Sequence, residues 1–283
     1  MTGTKRGGSF YDVPQVAERY LGHRHSGASS PNHVMEEPAF LEELGEVTGL
    51  RVLDLGCGDA AIAQVLLDAG CRSYLGLDGS AAMVDAANAA LCGTAGRVEM
   101  ADIEDFSTPP SSFDLVVSRL AFHYVENIEP VLAALHGCLS PGGRIVFTVV
   151  HPVLTSHDSG VRNKRTSWIV DDYFLHGPRE REWMGGTVTW FHRTIEDYVV
   201  APTRSGFSLS SLRECAPCED RFAGDADELA PTSRSVVSAA FRHAHWMTRR
   251  AWPRLRSRAR FRWTGPRSGR QRPGAYHRQR DRQ

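Results

Sequence analysis

The chain has 283 residues, 41% of them hydrophobic, with 33 basic and 33 acidic residues and a formal charge of zero. That length suits one well-buried α/β domain carrying an insertion, and no apolar run approaches the ~18 residues of a membrane span. The neutral total hides a split: residues 1–230 hold 18 basic and 32 acidic side chains, whereas 231–283 hold 15 Arg, no Lys and the single acid Asp281.

In chain order, residues 1–30 read as a flexible polar segment with a short helical stretch at Gln15–Tyr20. The start MTGTKRGGSF lacks the apolar stretch of a secretory signal. Pro31 and Asn32 mark a turn, and Met35–Leu44 a second helix. From Leu50 strands and helices alternate. RVLDLG, SYLGLD, RVEMAD, FDLVVSRLAF and GRIVFTVV are five strands; AIAQVLLDAG, SAAMVDAANAA and the region of Pro130–Cys138 are helices between them. This rhythm predicts a doubly wound, Rossmann-like, mainly parallel sheet with its ligand beyond the carboxyl ends of the strands. His151–Phe191 breaks the rhythm with Trp168, Tyr173, Phe174, Trp183, Trp190 and Phe191 among Gly, Asp and Arg, and is expected to be a cap inserted after the fifth strand, spanning about 151–192. Thr194–Ser205 follows as a helix strained by Pro202, and Phe207–Leu212 alternates like an edge strand.

After Ala230 no element is expected. The abrupt change to Arg, Pro, Trp, His and Gln without Lys has the look of translation out of frame in a GC-rich gene, or of a disordered extension; clustered Arg also suits a nucleic-acid arm. Six cysteines are spread through ordinary elements and are expected to be reduced thiols of a cytoplasmic protein. Cys215 and Cys218 form a lone CxxC, and His23 and His25 an HxH; neither has a second pair or third ligand, so no metal site is expected.

Val-Leu-Asp-Leu-Gly-Cys-Gly at 52–58 is a strand running into a glycine turn that opens a helix. Gly56 and Gly58 let the backbone approach a ligand, and Asp78, twenty residues beyond Gly58, ends the second strand where an acid can hold a ribose. This much fits a nicotinamide site equally well. Asp54 before the glycines, Ala61 in place of a third glycine, helices before the first strand and LSPGG before the fifth separate the two readings. With VLDLGCGDA, YLGLDGSAAMVDAA, VEMADIEDF, FDLVVSRLAFHYV and LSPGGRIVFTVVHP, over roughly residues 30–215, the sequence resembles the class I S-adenosylmethionine (SAM)-dependent methyltransferases, in the small-molecule branch that includes quinone-ring (type 11) enzymes.

The resemblance implies SAM as cofactor and S-adenosylhomocysteine as product. It places Gly56, Cys57 and Gly58 along the methionine half, Asp78 with Gly79 at the ribose, and Met83 beside the adenine. Asp102 with Ile103 would meet the adenine amino group, Arg119 and Leu120 would border the sulfonium, and Asn32 would lie near the cofactor. Ala60 departs from the glycine of many relatives. His123 and Tyr124 after the fourth strand, and His192 before the next helix, are the candidate acceptor-site groups, with His151 a further one; a neutral imidazole suits a general base. The aromatic cap suits a flat or apolar small-molecule acceptor, with ring carbon favoured over oxygen or nitrogen. A nucleic-acid methyltransferase using the tail, or a SAM-binding protein without turnover, are the alternatives, and no membrane partner is expected.

Overall fold

A computed structural model describes residues 5–25, 32–156, 170–216 and 236–243. The apolar runs form strands where β-branched and leucine side chains fill both faces of a sheet covered by helices. The chain begins with β1 (Lys5–Arg6), α1 (Gly7–Tyr11) and α2 (Pro14–His25). A π-turn at Asn32–Glu36 leads into α3 (Glu37–Leu44). The alternating core follows as β2 (Arg51–Leu55), α4 (Ala61–Asp68), β3 (Ser73–Asp78), α5 (Ala81–Ala90), β4 (Gly96–Met100), β5 (Phe113–Arg119), α6 (Ile128–Cys138) and β6 (Leu139–Val150). Short 3-10 turns stand at Ile103–Asp105 and Phe122–Tyr124. Beyond β6 come α7 (Pro152–Ser156), β7 (Gly177–Trp183), β8 (Gly186–His192), α8 (Ile195–Arg204), β9 (Phe207–Cys215) and β10 (Val236–His243).

The main sheet runs β4-β3-β2-β5-β6-β10-β9. Its first five strands are parallel, and β10 is antiparallel to both β6 and β9. The order reverses at β2, between β3 and β5, so a crevice opens where β2 and β5 end. Two apolar layers flank the sheet. One holds Leu53, Phe122, Leu132, Phe147 and Tyr198; the other holds Phe40, Val52, Ile62, Tyr74 and Val117.

Three expectations are corrected. The N-terminal segment expected to be flexible carries two helices, and Lys5–Arg6 pairs in parallel with Val188–Thr189 of β8. The cap after the fifth strand is a β7–β8 hairpin that, with β1, makes a second, three-stranded sheet. Its strands escape sequence reading because Gly177–Trp183 alternates charge with charge rather than apolar with polar.

The third correction concerns the chain after Ala230. Val236–His243 is an interior strand, with Val237 opposite Val149 on one side and Glu214 on the other. Phe241 is fully buried and stacks on Phe147 at 5.7 Å. Ser238, Ala239 and Ala240 gave no strand signal, yet all three are buried in the sheet. Small residues suit a strand buried on both faces, where tertiary packing overrides propensity. The Arg-rich stretch from 244 onward, the nucleic-acid arm and frame question tied to it, Trp168 and Cys218 lie outside the described residues.

At the start of α8 the helix reading holds: Thr194 caps it, accepting from the Asp197 N–H while Asp197 accepts in return from the Thr194 N–H, a reciprocal capping box. Pro202 sits inside its last turn, where its ring removes one late hydrogen bond. No helix among the described residues is long and apolar enough to cross a membrane.

Candidate active site

The ends of β2, β3 and β5 open onto a cleft of about 300 Å3. Gly56 and Gly58 both adopt left-handed φ, 69° and 58°. A Cβ on Gly56 would stand 2.5 Å from that of Ala121, so only glycine passes beneath the turn after β5. Ala60, also left-handed at φ 55°, pays the steric strain that glycine would avoid. Leu120 is left-handed too, at φ 53°, held by N–H donation to the Thr148 carbonyl at 2.9 Å. Strain of this kind at a cleft wall is typical of a functional turn.

Asp78 closes β3 with its carboxylate tied across the cleft floor. It accepts from the Gly58 N–H at 2.8 Å and from the Ser80 N–H at 2.9 Å. Burial pushes its carboxyl up, and the two backbone donors oppose that rise. Deeper, Asp54 accepts from the Tyr74 hydroxyl at 2.7 Å, while its Oδ1 is buried without a hydrogen-bond partner among the described residues. Burial lifts Asp54 to about 6.

At the end of β5, Arg119 is bound to Glu36, whose side chain is completely buried. Arg119 Nε donates to Oε1 at 3.0 Å, Nη2 donates to Oε2, and the Thr148 hydroxyl donates to Oε1 at 2.8 Å. The fork-to-fork pair fixes the planar guanidinium at the cleft wall, where it also lies over the Phe40 ring.

Of the residues expected at the cofactor, Gly56, Gly58, Asp78, Gly79, Met83, Asp102, Ile103, Arg119 and Leu120 line this cleft. Cys57 and Asn32 are not among the lining residues. The Cys57 thiol turns under the sheet, where a Cβ on Gly76 would stand 2.7 Å from its sulfur. Asn32 stands at the start of the π-turn before α3.

Sequence reasoning missed the other wall. Gly7, Gly8, Tyr11 and Tyr20, from the segment read as flexible, line the same cleft. Gly8 lies so close to Gly79 that a Cβ there would be 2.1 Å from the Gly79 carbonyl carbon. Asp12 accepts from the Ser80 hydroxyl at 2.8 Å, and Arg24 pairs with Asp59 at 3.2 Å. The signal available was FYDV…AERY, whose aromatics have no period of their own.

Of the candidate acceptor groups, Tyr124 alone lines the cleft. Its hydroxyl and that of Tyr11 are hydrogen-bonded at 2.8 Å, and burial raises both well above the ordinary phenol value. His123 is buried between Tyr124 and Trp190, at ring separations of 4.4 and 4.9 Å. Burial, helped by the charge of Arg193, pushes it down to about 3. Burial holds this imidazole neutral and makes it a weaker base than a free histidine, and it is not among the residues lining the cleft.

His192 is placed differently. It lies outside the cleft, bonded through Nδ1 to the Thr155 hydroxyl at 2.6 Å and through Nε2 to the Tyr173 carbonyl at 2.8 Å. The antiparallel return of β8 carries it toward α7. His151 likewise does a structural job, accepting the Val153 N–H at 3.1 Å and reaching Glu214 at 2.6 Å.

The His123 environment has a measurable consequence. In the unfolded chain a histidine gains its proton as pH falls below about 6.5, whereas folded His123 stays neutral until about 3. The unfolded state then binds more protons, and folding stability falls by about 1.4 kcal/mol per pH unit below 6.5. His123→Leu removes that penalty. The stability difference between variant and parent, from urea melts, should shift toward the variant by about 2 kcal/mol between pH 7 and pH 5. An unchanged difference would mean that His123 titrates normally in the folded protein.

A family model described as a methyltransferase domain matches residues 53–147. A solved SAM-dependent methyltransferase from Mesorhizobium loti is 33% identical, covers 76% of this chain and is itself covered completely, with a TM-score of 0.68. The chain belongs to the SAM-dependent methyltransferases. A Haemophilus influenzae protein of unassigned function is 31% identical over 73% of this chain and 85% of its own length. A malonyl-[acyl-carrier protein] O-methyltransferase from Enterobacter lignolyticus is 37% identical over 57% of each.

The methyltransferase cleft fits SAM on its own terms. Backbone open at Gly56 and Gly58 with the Asp78 carboxylate beside it suits a ribose, and the buried Asp54 oxygen below, without a partner among the described residues, suits a cationic methionine head. SAM supplies, when bound, a methyl group activated on a positive sulfur. The protein's own tasks are to orient that group, to exclude water and to place the acceptor in line.

Proposed function

We propose that this methyltransferase acts on a small organic acceptor bound against the aromatic wall between the N-terminal helices and the β7–β8 hairpin. One observation carries the reading: Tyr11 and Tyr124 line the cofactor cleft and also pack into the apolar cluster of Phe10, Val16, Val188, Trp183 and Trp190. The cofactor cleft thus abuts this aromatic cluster, and we take that side of the cleft as the acceptor's. In this reading Asp78 holds the ribose, Gly56 and Gly58 admit the methionine half, Met83 and Ile103 flank the adenine with Asp102 at its edge, and Arg119 and Leu120 border the transferring methyl. Positioning, rather than proton removal by histidine, supplies the rate enhancement. That displaces ring carbon as the favoured target, because a ring carbon must shed a proton.

Asp78→Ala tests the cofactor half directly. Losing hydrogen bonds from an ionised group costs roughly 1.5–3 kcal/mol, so calorimetric SAM affinity should fall about ten- to a hundredfold with the circular dichroism unchanged. Transfer of labelled methyl from SAM to the small-molecule fraction of the producing organism should fall with it. Undiminished affinity would show that the acid ending β3 is not the ribose ligand.

A further inference from the structure

We propose that the acceptor is an aromatic or apolar carboxylate, methylated on oxygen to an ester, with the Tyr11–Tyr124 hydroxyl pair as its positioning donor. The inference rests on the acceptor side just proposed and names what occupies it.

Two observations carry it. The first is a hydrogen count. Tyr11 and Tyr124 have two hydroxyl hydrogens between them, and their mutual bond at 2.8 Å uses one. Trp183 and Trp190, the indoles that influence these two hydroxyls, are donors only and accept nothing. Among the described residues no acceptor is recorded for the second hydrogen, so the pair offers one O–H at the cleft. Burial keeps both phenols protonated, hence permanent donors. What such a donor holds is an oxygen lone pair.

The second observation is the want of a usable base. His123 is a weakened base and does not line the cleft, and His192 lies elsewhere. Asp78 is given to the ribose in this reading, and Asp102 and Glu104 accept from the Glu104 and Asn127 N–H groups, bonds that stabilise the carboxylate and weaken it as a base. A phenol, an indole or a ring carbon would need its proton taken. A carboxylic acid, ionised above about pH 4 in water, arrives without one. It also has two oxygens, so one can accept from the tyrosine pair while the other attacks.

The step balances without any proton transfer. The free carboxylate oxygen attacks the methyl carbon; the new C–O bond forms as the C–S bond breaks, and its electron pair stays on sulfur. An anion and a sulfonium cation become a neutral ester and neutral S-adenosylhomocysteine. Because charge is annihilated in the transition state, exclusion of water favours it, and the rings of Tyr11 and Tyr124 at the cleft wall serve that exclusion.

The test joins product chemistry to binding. After incubation with methyl-labelled SAM and the small-molecule extract, mild alkali should release the label as volatile methanol, the signature of an ester; alkali-stable label would overturn the proposal while leaving the methyltransferase reading intact. Calorimetry in the presence of S-adenosylhomocysteine supplies a readout independent of turnover. Phenylacetate should bind at least tenfold tighter than its neutral isostere phenylacetamide, and the Tyr11→Phe, Tyr124→Phe double variant should lose that preference, read as the ratio of the two affinities at saturating S-adenosylhomocysteine. Equal binding of acid and amide to the parent protein also overturns it. Failure to bind S-adenosylhomocysteine at all would strike the underlying reading instead.

Discussion

A chain stopped after Ala230 should fail to fold, whereas one stopped after His245 should fold and bind SAM. The difference is β10. It stands between β6 and β9, so its loss strips the ladder from one edge of each. It also removes Val236, Val237, Ala239, Ala240 and Phe241 from the core. Deleting one buried phenylalanine side chain costs about 3–5 kcal/mol, and a whole domain is stable by only about 5–15. Loss of the strand is therefore more than the fold can absorb. Among the described residues, every strand of the sheet and every residue lining the cleft lies before residue 246. Solubility, circular dichroism and calorimetry on the two truncations decide the matter. A soluble, SAM-binding 1–230 fragment would show that β10 is dispensable.

Glu36→Leu should be the most damaging single substitution at the cleft. Removing one member of a buried ion pair strands the other, and such losses run to about 3–5 kcal/mol. Arg119 would keep only Glu37, 3.4 Å away and more exposed, while the Thr148 hydroxyl would lose its acceptor. Since Arg119 and Leu120 form the turn at the cleft wall, SAM affinity should fall together with the melting temperature. Arg119→Met with Glu36→Leu, which removes both charges, should recover much of the stability but not the affinity. A double variant as unstable as the single one would mean that packing, not the stranded charge, sets the cost.

Local chemistry made the alternating half of the molecule legible. Apolar runs ending in glycine or acid, and a serine cap before α5, specify strand, turn and helix from neighbours in sequence. Hence the parallel sheet, the glycine turn and Asp78 could be read directly, while SAM rather than a nicotinamide cofactor followed from the resemblance to the methyltransferases. The rest depended on partners remote in sequence. Lys5–Arg6 becomes a strand only because Val188–Thr189 offers an edge, and Gly8 matters only because Gly79 lies against it. Val236–His243 is too rich in small and polar residues to announce itself and is a strand because β6 and β9 supply both ladders. Histidine chemistry escaped for the same reason. At 123 and 192 the residue type promised a base, but basicity and reach are set by burial and neighbours, and folding gave one ring a dry pocket and the other a pair of structural hydrogen bonds. The amino-acid sequence thus determined the sheet and its glycine turn through local pattern, and the cofactor through resemblance to a family. The acceptor wall and the last interior strand were decided by tertiary contact, because side chains distant in the chain create the environment that gives each its role.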